Sequence, residues 1–292
     1  MLSYQHAYHA GNHADILKHI TLSLVLEYMT KKDKPFTVID THAGEGIYHL
    51  DDEKLLKTNE ANEGVVSFLN AVDNTDLKAK YSEALSFIEP FINICKTYKN
   101  QGLYPGSPEF ERCFLRENDE QILSELHPQA IEAVKGFARS SNLIKKNAKF
   151  KTHVHYRDAY ETLKSVTPPK TKRGIAVIDP SYEDTDDYST LADNFAAVYP
   201  KWTNGVYCIW YPLVEHRSLE RNRMIEVITS CVDSHNSEDK TVTFELEVKP
   251  KESMTGLAKL YGSGMLIVNP PYGLKEKMDV ILPLLKDVFY KE

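Results

Sequence analysis

Short apolar runs alternate with amphipathic stretches along most of this chain, and the alternation predicts an α/β fold. Apolar side chains at helical spacing predict helices over 12–29, 129–139, 162–166 and 191–199. Strand-length apolar runs span 36–40, 121–125, 150–156, 174–179, 205–211, 241–248 and 262–268. This order predicts parallel βαβ units in one doubly wound sheet of seven strands. The last two strands have no helix of normal length between them, which predicts an antiparallel edge.

Residues 50–103 interrupt this alternation. They are polar, rich in Lys, Glu and Asn, helical in period, and carry no strong strand signal. We therefore expect a helical subdomain inserted into a single domain that spans residues 1–292. Beyond it, Ser107 and Pro108 suit the N-cap and the first position of a further helix.

Carboxylates stand where the first predicted parallel strands end. In a doubly wound sheet, the ligand lies in a crevice outside these carboxyl ends. The four acids are Asp40, Glu125, Asp158 and Asp179. Asp40 leads into a turn with glycines at positions 44 and 46, where a ligand could approach the backbone closely. A ring of carboxylates complements a cationic ligand such as S-adenosylmethionine, which carries an ammonium and a sulfonium.

Two of these acids have a more specific prediction. Glu125 would bind ribose hydroxyls, although it lies far beyond the roughly 20 residues usual between the glycine turn and this acid. The inserted segment accounts for the excess, so the insertion and the ribose role stand or fall together. Asp158 would lie beside an adenine amino group, and an ordinary helix N-cap is the alternative.

The tetrapeptide Asp179-Pro180-Ser181-Tyr182 follows an apolar strand and predicts the site of chemistry. Methylating the exocyclic amine of a base is difficult, because the nitrogen lone pair is delocalised into the ring. The Asp179 carboxylate and the Pro180 carbonyl can accept the two amine hydrogens, since proline offers an acceptor and no donor. Tyr182 would provide a flat face on which the base stacks. A simple β-turn after the strand is the alternative.

A second tetrapeptide, Asn269-Pro270-Pro271-Tyr272, matches the amino-methyltransferase pattern more literally. It follows the last strand, at the antiparallel edge, whereas a catalytic tetrapeptide should follow the fourth strand beside the cofactor. We therefore expect a structural role for this segment.

The net charge of the chain is unusual for a protein that acts on a nucleic acid, although basic residues cluster locally. Its net charge is −7, whereas nucleic-acid binders usually carry excess positive charge. Three basic clusters nevertheless stand out: Lys31-Lys32-Asp33-Lys34, Lys145-Lys146 and Lys170-Thr171-Lys172-Arg173. Each is either a solvated surface or part of a locally positive face, and total charge does not decide between them.

Other features exclude whole classes of protein. No apolar run approaches the roughly 18 residues of a membrane span, and the first residues lack a secretion signal, so we expect a cytoplasmic protein. The four cysteines lack metal-ligand spacing and predict no disulfides. The histidines of residues 6–19 match no zinc pattern, so we expect this segment to line the active site without metal. A solvated arm is the alternative.

A set of short motifs is spread over nearly the whole chain. They are Met1-Leu2-Ser3-Tyr4, His9-Ala10-Gly11-Asn12-His13-Ala14-Asp15, Leu17-Lys18-His19, Asp33-Lys34-Pro35-Phe36, Asp40-Thr41-His42-Ala43-Gly44, Tyr104-Pro105-Gly106-Ser107-Pro108, Glu125-Leu126-His127-Pro128, Asp179-Pro180 with Tyr182-Glu183, Trp210-Tyr211-Pro212, and Met254-Thr255 to Gly264-Met265. In these motifs the sequence resembles the ribosomal RNA large subunit methyltransferase J family.

The resemblance implies a class I (Rossmann-like) S-adenosylmethionine-dependent methyltransferase with an inserted helical subdomain and no metal. The substrate would be the N6 amine of one adenine in 23S ribosomal RNA, and no oligomer is required. The implied cofactor-binding residues are His19, His42, Ser107, Glu125, Asp158, Ala159 and Asp179. Asp179 would be catalytic with Pro180 and Tyr182, while Tyr4 and Lys18 would join Tyr182 at the substrate.

The sequence departs from the family pattern at two positions, and the departure at Ser181 leaves alternatives open. Ser181 stands where the family has a second proline, and Ala159 stands where glycine is usual. A serine restores an N–H and loosens the turn. The chain could therefore be a weakened protein that binds cofactor and RNA. A DNA adenine methyltransferase is the other alternative, although no separate DNA-reading domain is evident.

Overall fold

The computed structural model describes residues 5–235, 240–251 and 260–291. Tyr4, which the resemblance assigns to the substrate site, and the motif at Met254-Thr255 lie outside the described residues.

Seven strands form one sheet in the described part of the chain, and two short strands form a separate pair. The strands are β1 (Thr37–Asp40), β2 (Ile47–His49), β3 (Leu103–Pro105), β4 (Glu120–Glu125), β5 (Lys151–Tyr156), β6 (Gly174–Ile178), β7 (Val206–Val214), β8 (Thr241–Glu247) and β9 (Leu260–Val268). The large sheet has the order β5-β4-β1-β6-β7-β9-β8. The first five strands in this order, β5, β4, β1, β6 and β7, pair in parallel with one another. Strand β9 is antiparallel to both of its neighbours, β7 and β8. The predicted seven-stranded sheet with an antiparallel edge is confirmed.

Helices cover both faces of the sheet. They are α1 (His13–Thr30), α2 (Glu53–Thr58), α3 (Ser67–Asp73), α4 (Thr75–Lys80), α5 (Ser82–Phe87), α6 (Glu89–Lys99), α7 (Ser107–Phe114), α8 (Pro128–Arg139), α9 (Ala159–Val166), α10 (Asp186–Val198), α11 (Ser218–Asp233) and α12 (Leu274–Phe289). Short turns of other helix types occur at His6–Tyr8, Asn62–Val66, Tyr199–Lys201 and Glu215–Arg217. Helices α9 and α10 begin earlier than predicted, because their first turns are polar and lack the apolar spacing that marks the rest.

Helix α1 is buried on nearly every side and carries five polar residues into the interior: Asp15, Lys18, His19, Thr21 and Ser23. The Asn12 side chain caps it by accepting from the amides of Ala14 and Asp15. Its apolar residues join the larger of the two main cores. The same helix therefore holds Lys18 and His19 beneath the carboxyl ends of the central strands, where both are buried.

The chain between β2 and β3 forms α2 to α6 and contributes no strand to the large sheet. The antiparallel pairing of β2 with β3 closes this segment at its base. Its helices share one core with α1, α7 and α12. Ring contacts join Phe68 to Phe289 of α12 and Phe91 to Phe110 of α7. The helical character of this region matches expectation, and the assignment of residues 50–103 as a subdomain of their own stays a prediction.

Candidate active site

A cavity of about 260 Å³ lies at the carboxyl ends of β1, β4, β5 and β6. The segment that precedes α1 forms one of its walls. Nine of the residues predicted for cofactor, catalysis or substrate line it: Lys18, His19, His42, Ser107, Glu125, Asp158, Ala159, Asp179 and Pro180. Their gathering follows from the topology, since the carboxyl ends of parallel strands meet at one edge of a sheet.

The glycine turn after β1 is held against the carboxylate that follows β4. The Gly44 amide donates to Glu125 Oε2 at 2.8 Å, and the amides of Leu126 and His127 donate to Oε1. Gly44 has a φ of +58°, and a Cβ there would lie 2.3 Å from the Tyr48 hydroxyl oxygen. Only glycine suits this position, and the turn thereby leaves the backbone open to a ligand.

Asp158 begins helix α9 as its N-cap. Its Oδ1 accepts from the amides of Tyr160 at 2.9 Å and Glu161 at 3.0 Å. The N-cap alternative is therefore confirmed. The side chain also lines the cavity, so the predicted contact with a cofactor remains compatible with the cap and stays a prediction.

Asp179 is held by a buried lysine from helix α1. Lys18 Nζ lies 2.5 Å from Asp179 Oδ2 and 2.8 Å from Asp15 Oδ1. Burial opposes the charge on Lys18, but the carboxylates of Asp15 and Asp179 outweigh it and raise the lysine pKa above its usual value. His6 and the Gly11 amide also contact Asp15. Lys18 therefore orients the Asp179 carboxylate, and the structure supports this contact rather than a free lysine facing a substrate.

A second layer of polar groups lies under the crevice. Ser107 Oγ donates to Asp40 Oδ2 at 2.6 Å, and the His42 amide donates to Oδ1 at 3.1 Å. Burial raises the pKa of Asp40 to about 6. The prediction that Ser107 is an N-cap is wrong, because Gly106 holds that position and the serine side chain turns to Asp40 instead.

Two histidines of the cavity wall are neutral at pH 7. Burial lowers the pKa of His19 to about 3 and that of His42 to about 4. His19 Nδ1 lies 2.8 Å from the Tyr104 hydroxyl, while its buried Nε2 has no hydrogen-bond partner within the described residues. A buried nitrogen left unpartnered at a cavity wall is a position that a ligand can satisfy.

The structure does not bring Tyr182 to the cavity, which corrects the prediction of a stacking face. Its ring is buried against Tyr188, with 4.5 Å between the centroids, and its hydroxyl donates to the Trp210 carbonyl at 2.7 Å. Tyr182 has a φ of +51°, and this left-handed residue turns the side chain away from the crevice and into the core. Tyr182 therefore presents no open ring face on which a base could stack, and its predicted catalytic and substrate roles have no such support.

The rival tetrapeptide lies at the opposite edge of the sheet. Val268 pairs with Tyr207 near the start of β7, so Asn269 follows at the amino ends of the parallel strands. The Asn269 side chain donates to the carbonyls of Thr203 and Gly205. These contacts support the structural role expected for this segment.

Several residues that sequence reasoning missed also line the cavity. They are Gln5, Glu45, Tyr48, Tyr160, Glu183 and Asp187, among others. His6 also lines the cavity, and it belongs to the segment that was expected there. Tyr160 and Glu183 follow Asp158 and Asp179 closely in sequence, which was an available signal. Tyr48 reaches the cavity only through the tertiary fold.

Two kinds of feature are absent from the described residues. Among them, no group of three or more His, Cys, Asp and Glu side chains is arranged to hold a metal ion. Among the described helices, none combines the length and the apolar character that crossing a bilayer requires.

A mostly parallel sheet of this order, with one antiparallel strand inserted beside β7 and an acidic crevice at its carboxyl edge, defines a class I S-adenosylmethionine-dependent methyltransferase fold. The family model described as "Ribosomal RNA large subunit methyltransferase D, RlmJ" matches residues 33–292. The chain therefore belongs to the ribosomal RNA large subunit methyltransferase J family.

Relatives of known name or structure agree with this assignment. The Escherichia coli (strain K12) "Ribosomal RNA large subunit methyltransferase J" is 36% identical over 289 residues, covering 98% of this chain and 93% of the relative. The Haemophilus influenzae protein of the same name is 34% identical over 295 residues, covering 100% and 95%. The crystal structure of LPL1258 from Legionella pneumophila matches with a TM-score of 0.79 and 30% identity, covering 96% of this chain and 94% of that one.

Proposed function

We propose that this chain methylates the exocyclic N6 amine of one adenine in 23S ribosomal RNA, with S-adenosylmethionine as methyl donor. One observation carries the proposal: Asp179 and Pro180 share a cavity with Glu125, Asp158 and the glycine turn. Both named relatives are called ribosomal RNA large subunit methyltransferase J, which supports the choice of substrate over DNA.

The residues present fit the proposed cofactor. The carboxylates of Glu125, Asp158 and Asp179 surround the cavity, and they complement the positive charges of S-adenosylmethionine. Glu125 would hold the ribose hydroxyls and Asp158 the adenine amino group, while the unpartnered His19 Nε2 offers a further contact. When bound, the cofactor supplies a methyl group activated by its sulfonium.

The chain itself orients the amine. Lys18 engages Oδ2 of Asp179, which leaves Oδ1 to accept one amine hydrogen, and the Pro180 carbonyl accepts the other. Holding both hydrogens favours a pyramidal nitrogen whose lone pair points at the methyl carbon. Positioning and fixed charge supply most of the rate in such a site. The bound cofactor would supply the methyl group to this nitrogen, Asp179 and Pro180 would hold the amine in place, and the methylated amine would release one proton.

We propose further that no oligomer is required, as the family resemblance implies. The proposal also places the enzyme in the cytoplasm, where ribosomal RNA is made in bacteria.

Methyl transfer in vitro tests the proposal. The purified chain is incubated with methyl-labelled S-adenosylmethionine and either 23S ribosomal RNA or DNA of the same sequence, and the products are digested to nucleosides. We expect labelled N6-methyladenosine from the RNA alone, and none with the Asp179→Asn variant. Equal or greater transfer to DNA would favour the DNA alternative, and transfer to neither would refute the proposal.

A further inference from the structure

The three basic clusters of the sequence come together at the amino edge of the sheet, opposite the cavity. Thr37 at the start of β1 pairs with Glu120 of β4 and Gly174 of β6. The segments that precede these strands must therefore meet at one edge. The clusters at 31–34 and 170–173 belong to these segments, although about 140 residues separate them in sequence.

Two arginines fix the first cluster in place. Arg173 donates to the Lys34 carbonyl at 2.7 Å, and Arg116 donates to the Lys32 carbonyl at 2.7 Å. Both guanidinium carbons lie 5.6 Å from the centroid of the Phe36 ring. The backbone of this loop is thus held by its carbonyls, and its lysine side chains extend to solvent.

The other two clusters are anchored to the same framework. Lys145 Nζ donates to the Leu115 carbonyl at 2.7 Å, close to Arg116. The Thr37 and Thr171 hydroxyls lie 2.9 Å apart. Trp202 donates to the Lys172 carbonyl at 3.1 Å. The second and third clusters are therefore also displayed from ordered backbone.

We name the gathered lysines the amino-edge patch: Lys31, Lys32, Lys34, Lys145, Lys146, Lys170 and Lys172. Within the described residues, none of the seven forms an ion pair, whereas lysines elsewhere, such as Lys80, Lys96 and Lys275, pair with aspartates. The nearby Asp119 is already engaged by Arg116 and by the Phe36 amide. A chain with a net charge of −7 thus gathers seven lysines that form no ion pair in its described part at one edge, with Asp33 as the acid inside the first cluster.

We propose that the amino-edge patch binds the phosphate backbone of the RNA substrate, away from the base that enters the cavity. The inference rests on the proposed function, and it addresses how an acidic protein holds an RNA. The cavity is lined by carboxylates that repel phosphates, so affinity must come from another surface. Lysine ammonium groups are point charges that contact phosphates without recognising bases. The patch therefore contributes affinity and orientation rather than sequence specificity.

The geometry also sets the size of the RNA. The parallel strands between the two edges have four to six residues at their core, so the edges lie roughly 15–20 Å apart at about 3.3 Å per residue. A substrate that reaches both must extend well beyond a single nucleotide. Short fragments should therefore lose the contribution of the patch while keeping access to the cavity.

The test uses the full-length chain and the triple variant K31Q/K32Q/K34Q. The matched control is K78Q/K80Q/K275Q, which removes three exposed lysines from α4 and α12. Binding to a 23S ribosomal RNA transcript is measured by anisotropy between 50 and 300 mM KCl, and methyl transfer is measured on both the transcript and the shortest RNA that the wild type methylates. Thermal unfolding checks that all variants are folded.

We expect the patch variant to bind the transcript about tenfold more weakly near 150 mM salt, with a salt slope shallower by about 2, since each phosphate contact contributes roughly 0.7–0.9. Transfer to the shortest RNA should stay within about twofold of the wild type. If the patch variant has the same transcript affinity and the same salt slope as the control variant, the proposal that the patch binds RNA is overturned. If the patch variant loses binding but even the wild type transfers no methyl group, the patch stands and the proposed function fails.

Discussion

The two edges of the central sheet carry opposite charge and are built in opposite ways. At the carboxyl edge, acids line a cavity, and a buried lysine from α1 reaches up to hold one of them. At the amino edge, two arginines are tied to backbone carbonyls, and so is Lys145, while the other lysines of the patch are exposed. Under the two proposals, the carboxyl edge would supply the chemistry and the amino edge would attract a polyanion.

This division also shows why total charge is a poor guide to the partner. A net charge of −7 argued mildly against a nucleic-acid substrate. The acids that line the cavity are suited to a cationic cofactor, and the basic clusters are displaced to the far side of the sheet. Net charge sums two surfaces that act separately.

The largest effect is expected from Asp179→Asn. The amide keeps the shape of the side chain but loses the charge and one acceptor, so single-turnover methyl transfer should fall by about 10³-fold, in the range seen for charge-stabilising groups. Affinity for the RNA transcript should change by less than about twofold. A loss of RNA affinity as large as the loss of methyl transfer would contradict the contrast between the edges, because the acidic edge would then also contribute to RNA binding.

Next in size is the loss of stability from Lys18→Met. Removing a buried lysine leaves Asp15 and Asp179 without their shared cation, which should lower the free energy of unfolding by about 3 kcal/mol. The control is Lys34→Met at the amino edge, where an exposed lysine without an ion pair should change it by under about 0.5 kcal/mol. Denaturant titration at pH 7 measures both, and equal effects would contradict the contrast between the edges.

A pH dependence should distinguish His19 from exposed histidines. Burial lowers the pKa of folded His19 to about 3 from 6.5, so below pH 6.5 the unfolded chain binds a proton that the folded chain excludes. Its contribution to stability is fully present above pH 6.5 and is lost toward pH 3, at about 1.4 kcal/mol per pH unit.

The His19→Gln variant should therefore show a shallower loss of stability between pH 6.5 and 5.5 than the wild type, whatever its stability at pH 7. His216→Gln, on an exposed segment of the same edge, serves as the control and should keep the wild-type slope. An unchanged slope in His19→Gln would show that this histidine is not excluded from water.

The smallest effect is expected from Ser181→Pro. Ser181 lines the cavity, and no hydrogen bond from its amide is found in the described part of the chain, so proline removes no partner. We expect the rate of transfer to change by less than about threefold. A rise of 100-fold or more would instead support a catalytically weakened protein.

Much of the fold was predictable because its signals are local. Strands and helices alternate with clear apolar periodicity, and acids follow the strands that converge on the cavity. Helices α11 and α12 were not anticipated, although Leu274, Met278, Ile281 and Leu285 have helical spacing that could have revealed the second. Both segments lie beyond Asp179 in the chain, beside predicted strands.

The parts that could not be predicted depend on side-chain direction and on distant contacts. Tyr182 closely follows Asp179 as the family pattern requires, yet a left-handed φ directs its ring into the core. Ser107 precedes a proline as an N-cap would, yet it bonds to Asp40, which lies 67 residues earlier. The amino-edge patch joins segments that are far apart in the sequence and meet only in the folded chain.

The most direct measurement is mass mapping of 23S ribosomal RNA from cells with and without this chain, complemented by either the wild type or Asp179→Asn. The account predicts that one adenine loses a methyl group on its N6 amine when the chain is absent, that the wild type restores it, and that Asp179→Asn does not. Unchanged methylation of every adenine in that RNA, or full restoration by Asp179→Asn, would contradict it.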